Sequence, residues 1–525
     1  MLILGAILLI FLTPLVVFGI GFTRVRSGYL WLLVTTSTLI AFSLILLSGN
    51  KIPISIPIAN WQPEIIFTAS PMLLVDNISW PFAIAIITFV FAALLIDIVH
   101  INKPIPQSWI LIHIIGGVGL IAVIAGNLLT ILIAWAVIDI VECVILLNFM
   151  HSSRKRERVV ISFSVRIASM IMLISAILIG EVLDTTLPFG EASIHVAGLL
   201  ILAAGLRLGI FPLNQPYLQE PQLRRNLGTM IRFIPSVASI VLLGRIAHVG
   251  ITGFWFLIIM ILSTVLAIFS AVFWLQADNE LDGQIYWISG ISAFALAAAS
   301  QGLQNASTAW GLAMIFSGGL LFLLSKSHIR LIPLFALGVF SISGLPLSPT
   351  WEGAAQIFSL PWSFRVFFII AQALMMVGYL RFALLTKSNQ DGFERWMWFV
   401  YPIGLAILPI TNIGLFYVMR MFGYQNISLQ TPGWWGGLIS FGLAVIIFVK
   451  YRYKSISFHP FLSRFVYVIS WISRSFWWGY QAFGRLLYAV TRILEGDGSI
   501  LWALLILILL TVTINLWGDG ERFGL

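Results

Sequence analysis

The residues able to do chemistry in this sequence are ionisable groups set inside long apolar stretches. Asp76 opens one stretch in the run Leu74-Val75-Asp76-Asn77-Ile78-Ser79, Asp139 and Glu142 lie in a later one, Arg166 in the next, and His195 and Arg207 in the one after. Arg232, Arg245 and His248 follow, and Glu352 and Arg365 flank a proline-rich break farther on. An ionised side chain at the centre of a bilayer costs about 3 kcal/mol on insertion scales, so it needs a partner, a hydrated cavity or a function. Asp139 and Glu142 sit on adjacent turns of one helix face. Two carboxylates so placed compete for charge and could pass a proton. Paired across helices with Arg166 or Arg207, they would instead stay ionised as structural ion pairs. Arginine keeps its proton in proteins, so Arg166 and Arg207 can tune a proton path without carrying its proton. Asp76 is placed to cap a helix N-terminus, and Arg245 and His248, near the end of their stretch, can snorkel. The proton-path candidates are therefore Asp139, Glu142, Arg207 and Glu352. Asp76, Arg166, His195, Arg245 and His248 are candidates for tuning or ion pairing.

The elements that must hold these groups are dictated by composition. Of 525 residues, 60% are hydrophobic and only 9% charged, which leaves too little polarity for a water-facing surface. Apolar runs of about 20 residues recur from end to end, enough to cross a hydrocarbon core, and lipid leaves backbone polar groups no partner outside helices or closed barrels. The runs are too long and uniform for barrel strands, so the fold class is all-α and polytopic. The single Cys143 excludes a disulfide framework, a thiolate zinc site and an iron–sulfur cluster held by this chain alone. No phosphate-binding glycine loop, zinc signature or nucleophile elbow is present, so no cofactor, metal or catalytic residue is expected. An oxidoreductase label could belong only to an assembly containing the chain. The net charge of +9 resides in loops and one amphipathic stretch, where it orients the chain and meets anionic lipid, and nucleic acid is not an expected partner.

About 15–16 spans are expected: 2–22, 29–48, 73–98, 107–126, 128–150, 159–180, 194–213, 229–248, 253–275, 284–301, 308–325, 331–345, 362–385, 396–418, 433–450 and 499–517. The first has no charged n-region or cleavage site and reads as a retained helix. With these spans, Arg24 and Arg26, the run Arg154 to Arg158, Arg224 and Arg225, Lys326 and Arg330, Lys387 and Arg395, and Lys450 to Lys454 all fall on one side. The positive-inside rule makes that side cytoplasmic and puts the N-terminus on the non-cytoplasmic side of an energy-coupling membrane, the plasma membrane in a prokaryote.

Two helices are expected to be interrupted, at Pro212 to Pro221 and at Pro346 to Pro361, because proline removes a donor and clashes with the preceding turn. The matching offset of the stretches leading into them suggests two inverted five-helix repeats, 107–248 and 253–385, each with one discontinuous helix. N-terminal helices at 1–106 and C-terminal helices at 396–450 flank them. Residues 455–494 are too polar to span yet rich in Phe, Trp and Tyr, with Arg474, Arg485 and Arg492 on one face. They read as a cationic amphipathic interfacial helix, and 499–517 as the terminal anchor.

In order and spacing, several segments resemble the antiporter-like membrane subunits of respiratory complex I, membrane-bound hydrogenases and multisubunit cation/proton antiporters. Leu74 to Ser79 resembles the family's "vDgLS", and Val165-Arg166-Ile167-Ala168-Ser169 its "tRvGD". Arg207 to Asn214 resembles "KsaqfPlH" of the broken seventh helix, Leu242-Leu243-Gly244-Arg245 resembles "YLlaR", and Ser343 to Ser348 resembles "GiPplsGF" of the broken twelfth. Leu494-Glu495-Gly496-Asp497-Gly498 with Leu501-Trp502 is similar to the C-terminal ending of longer members. The departures fall on charged positions. The fifth-helix "WE" glutamate falls on Ala136, the seventh-helix lysine on Arg207, the tenth-helix lysine is missing from Asp278 to Trp287, and the terminal lysine of "GFwgK" falls on Gly353. The resemblance implies a membrane-arm subunit that moves protons or cations with other membrane subunits. A degenerate member serving as a scaffold is the first alternative, and a stand-alone secondary transporter the second.

Overall fold

The computed structural model describes residues 2–21, 27–58, 70–100, 106–150, 152–182, 193–209, 223–325, 331–385, 396–423, 434–453 and 485. The chain divides into two units, Met1–Tyr453 and Lys454–Leu525. Apart from Arg485 the second lies outside the described residues, and with it the expected amphipathic helix 455–494 and anchor 499–517. Among the described residues of the first unit, sixteen α-helices follow in chain order. They are α1 (Leu2–Ile20), α2 (Ser27–Ser48), α3 (Ser79–Ile96), α4 (Pro106–Val123), α5 (Leu128–Phe149), α6 (Ser153–Val182), α7 (Ile194–Arg207) and α8 (Arg225–Ile246), then α9 (Gly253–Gln276), α10 (Glu280–Ser300), α11 (Gln304–Phe322), α12 (Ile332–Ile342), α13 (Trp351–Ser359), α14 (Trp362–Leu385), α15 (Met397–Met421) and α16 (Trp434–Tyr453). Among the described residues, ten helices are long and apolar enough to cross a membrane.

Burial sorts them. Every residue of α3 is buried, and α8, α10 and α11 are buried over most of their length, as expected of helices that are apolar all round. By contrast α1, α5 and α6 turn aliphatic side chains outward, among them Leu8, Leu12, Leu15, Ile140, Val144 and Ile171.

The expected span 73–98 begins later than its apolar run. Met72–Val75 is strand β2, paired antiparallel with β1 (Ile54–Pro57) with Ile54 opposite Val75, and the helix starts only at Ser79. The Asp76 carboxylate sets that start by accepting from the backbone N–H groups of Ile78 and Ser79 at 3.1 and 2.7 Å.

The second expected break is present. Between α12 and α13 the chain turns through Gly344, at φ 66°, and Leu347, at φ 67°, a left-handed value rarely taken by a branched side chain. The freed backbone groups find local partners, as low-dielectric surroundings require. Thr350 Oγ1 accepts from Gly344 N–H at 3.1 Å and donates to the Ser341 carbonyl at 2.9 Å. Gln372 Nε2 donates to the Ile342 and Ser343 carbonyls at 3.1 and 3.2 Å. At the first break, α7 ends at Arg207, and 210–222 lie outside the described residues.

The packing of α9–α14 is built from aromatic rings seated on glycines. Trp274 rests on Gly378, Trp287 on Gly318, Trp310 on Gly353 and the Tyr379 hydroxyl on Gly338, positions where a Cβ would overlap the ring or its hydroxyl. The rings pack against one another at tilted angles, with centroids 5.7 Å apart for Trp274 and Trp287 and 5.4 Å for Trp287 and Tyr379. Their polar tips are spent on backbone carbonyls: Trp274 on Met375, Trp287 on Met314 and Tyr379 on Ser317.

Candidate functional site

The side chain of Asn127 fixes the start of α5, its Oδ1 accepting from the Thr130 N–H at 2.9 Å. From there helical spacing puts Trp135, Ile138, Asp139 and Glu142 on the buried face and Ile133, Val137, Ile140 and Val144 outward. On α6 the same spacing buries Ser162, Arg166 and Ser169, and Ser169 Oγ donates to the Ala203 carbonyl of α7 at 2.7 Å. Arg207 stands in the last turn of α7, where a cation meets the negative end of the helix dipole.

These elements bring four charges together. Arg207 donates to both Asp139 oxygens, Nη1 to Oδ2 at 2.5 Å and Nη2 to Oδ1 at 2.7 Å. Arg166 grips Glu142 with both terminal nitrogens, Nη2 to Oε1 at 2.9 Å and Nη1 to Oε2, and Nη1 also reaches Asp139 Oδ1 at 3.2 Å. Asp139 is 1% exposed and Glu142 2%, and the Arg207 guanidinium lies 4.3 Å over the Trp135 ring. Two acids and two arginines balance, in the bidentate geometry that suits guanidinium and carboxylate. Of the two arrangements expected for Asp139 and Glu142, a proton-passing pair or ion pairs across helices with Arg166 and Arg207, the contacts in place are the ion pairs. Asp139, three residues beyond Ala136, supplies the partner of the α7 cation that the resemblance placed at Ala136.

The other candidates stand apart. Glu352 opens α13 and hydrogen-bonds Asn305, while Arg365 donates to the Leu360 carbonyl. α13 packs on α11, α14 and α16, so Glu352 belongs to the other half of the bundle. Arg245 does not snorkel. It is 3% exposed, donates to the carbonyls of Ala125 and Leu74, and lies 3.6 Å from Asp76 Oδ2, because β2 and the α4–α5 link offer it carbonyls inside the protein. His248 is exposed, its Nδ1 2.7 Å from the Arg245 carbonyl oxygen. His195 falls in the first turn of α7, and its side chain lies outside the described residues.

A second buried charge centre escaped sequence reasoning. Asp97, at the end of α3, is 2% exposed and accepts from Trp109 Nε1 at 2.6 Å, Arg224 Nη1 at 2.7 Å and Asn226 Nδ2 at 3.4 Å. It ties α3 and α4 to the start of α8. The available signal was an acid at the end of an apolar run.

No family model matches the sequence, and comparison with curated proteins gives no match. Solved structures do match in shape. A chain of the Mrp complex from Dietzia sp. DQ12-45-1b aligns over 98% of this chain at TM-score 0.69 and 16% identity. This chain shares the fold of that membrane-complex subunit. It covers 62% of that Mrp chain's length. A chain of the membrane-bound sulfane sulfur reductase, an archaeal respiratory membrane complex, aligns over 97% of this chain and 100% of its own length, at TM-score 0.68 and 14% identity. A chain of respiratory complex I from Thermus thermophilus with bound aureothin aligns over 78% of this chain and 97% of its own, at TM-score 0.57 and 14% identity.

Proposed function

We propose that this antiporter-like chain is a membrane subunit of a multisubunit energy-coupling complex, and that it acts there as a helix scaffold around a fixed ion-pair centre, without conducting protons across its own width. The observation that carries this reading is the bidentate engagement of both α5 carboxylates by Arg166 and Arg207. A carboxylate gripped by two guanidinium nitrogens is fixed against a group that cannot release a proton to relay. The seating of Trp274, Trp287, Trp310 and Tyr379 on glycines supports it further, since close-packed rings leave little room for a water file. The complexes containing the similar chains motivate the choice of partners: other membrane subunits within one bilayer.

A second reading, proton or cation movement aided by this chain, is favoured by the half-buried carboxylate of Glu352 and by an open polar cleft beside Arg166 and Arg207. The test replaces Asp139 with Asn and Glu142 with Gln and follows proton uptake by vesicles containing the whole complex, per assembled complex. The scaffold reading expects unchanged uptake in whatever fraction assembles. Uptake lost from fully assembled complex would establish the second reading in its place.

A further inference from the structure

The turn between α12 and α13 is enclosed on three sides. A Cβ on its left-handed Gly344 would lie 2.5 Å from the Ala354 methyl of α13, 3.2 Å from Gln372 Nε2 of α14 and 3.4 Å from Gly437 Cα of α16. From α16 the contact is backbone on backbone. A Cβ on Gly437 would overlap the Gly344 carbonyl oxygen, and one on Gly436 would lie 2.9 Å from the Ala354 carbonyl oxygen. Both α16 glycines are buried.

α12 has 11 residues and α13 has 9, and helices so short depend on packing to hold their place. An interrupted helix is a natural hinge, because a few loop residues can absorb the change in φ and ψ as its halves swing. Here the halves are held. Gly353 of α13 lies on the Trp310 ring of α11, and the next residue, Ala354, meets Gly436 of α16, so α13 is gripped between two helices. Thr350 and Gln372 add hydrogen bonds to the Ser341, Ile342 and Ser343 carbonyls and the Gly344 N–H. The α16 contact differs from these in kind. A side chain can turn to another rotamer, but backbone against backbone gives way only when the helix moves as a body. We propose that α16 is a clasp over the α12–α13 break, with Gly437 against the Gly344 turn and Gly436 against α13, and that the break opens only when α16 moves off it. The clasp uses none of the α5–α7 ion pairs.

The experiment uses the intact complex in neutral detergent and follows amide hydrogen exchange by mass spectrometry in peptides covering 341–352. It compares wild type, Gly437→Ala and Gly442→Ala, the last on the same helix but with open space where its Cβ would stand. The clasp predicts exchange at least about tenfold faster in Gly437→Ala, where the new methyl meets backbone and pushes α16 off the turn, and no change in Gly442→Ala. A cysteine pair decides the matter even where Gly437→Ala does not assemble. In a Cys143→Ser background, Phe358→Cys with Gly436→Cys places two Cβ atoms 3.6 Å apart. That is within the span of about 3.5–4.5 Å that a disulfide bridges. The pair is expected to oxidise in the assembled complex and to slow exchange in 341–352 relative to its reduced form. Exchange in assembled Gly437→Ala equal to that of wild type would overturn the clasp, as would a cysteine pair that stays reduced or whose oxidation leaves exchange unchanged. Proton uptake enters neither readout, so this proposal and the scaffold reading fail separately.

Discussion

Asp139 on α5 and Arg207 on α7 meet through two hydrogen bonds, 2.5 and 2.7 Å long, across 68 positions of sequence. Their pairing buries an acid against the cation that ends α7, and the Arg166 bridge to Glu142 adds a second pair beside it. What such a centre does depends on what happens when one member is removed.

Replacing Arg207 with Gln leaves Asp139 with a weaker partner at 3.2 Å from Arg166 and an excess negative charge in the bundle. A loss of about 3–5 kcal/mol is expected, because the surviving charge keeps its desolvation cost. The double replacement Asp139→Asn with Arg207→Gln should recover much of it, since both charges go together. Unfolding midpoints of the four proteins of this cycle check the coupling; additive losses would mean the pair contributes nothing as a pair.

Asp97→Ala should cost about as much, about 3–5 kcal/mol, by removing the carboxylate that Arg224, Trp109 and Asn226 share. Asp97→Asn should cost less, because an amide oxygen can still accept from the indole. Thermal denaturation that ranks the two variants the other way would show that charge is not what binds α3 to α8.

Asp76 provides a contrast. Its carboxylate is more exposed and its work is done on two backbone N–H groups at the start of α3. Asp76→Ala should therefore cost about 1 kcal/mol, the worth of a helix cap, and Asp76→Ser should restore most of it. A loss as large as that of Asp97→Ala would mean that the 3.6 Å contact with Arg245 matters more than the cap.

Gly378→Ala tests the aromatic packing. The new methyl would overlap the Trp274 ring and should cost about 1–3 kcal/mol, where a helical Gly→Ala change in open space would stabilise. Pairing it with Trp274→Leu should relieve the overlap. A stabilised single variant would show that the ring has room to move.

The apolar spans were legible because a bilayer forces each crossing to be long and uninterrupted, and the α12–α13 break was legible in Gly344, Pro346 and Pro349. α13 was not, since nine residues between prolines carry too little periodicity to read as a helix. The start of α3 was misread because an apolar β-strand and an apolar helix look alike over the four residues Met72–Val75. For the site, Arg166 and Arg207 were legible as partners for Asp139 and Glu142, but not which cation takes which acid. Glu142 and Arg166 are 24 positions apart and Asp97 and Arg224 are 127 apart, distances at which only tertiary packing decides who meets whom.

The most direct test of the fixed ion-pair centre is time-resolved infrared difference spectroscopy of the whole complex during turnover, in the carbonyl region where a protonated carboxylic acid absorbs. The account predicts that Asp139→Asn and Glu142→Gln leave that region unchanged, because neither side chain takes up a proton at any stage. A transient protonated-carboxyl band present in the wild type and lost in either variant would contradict it.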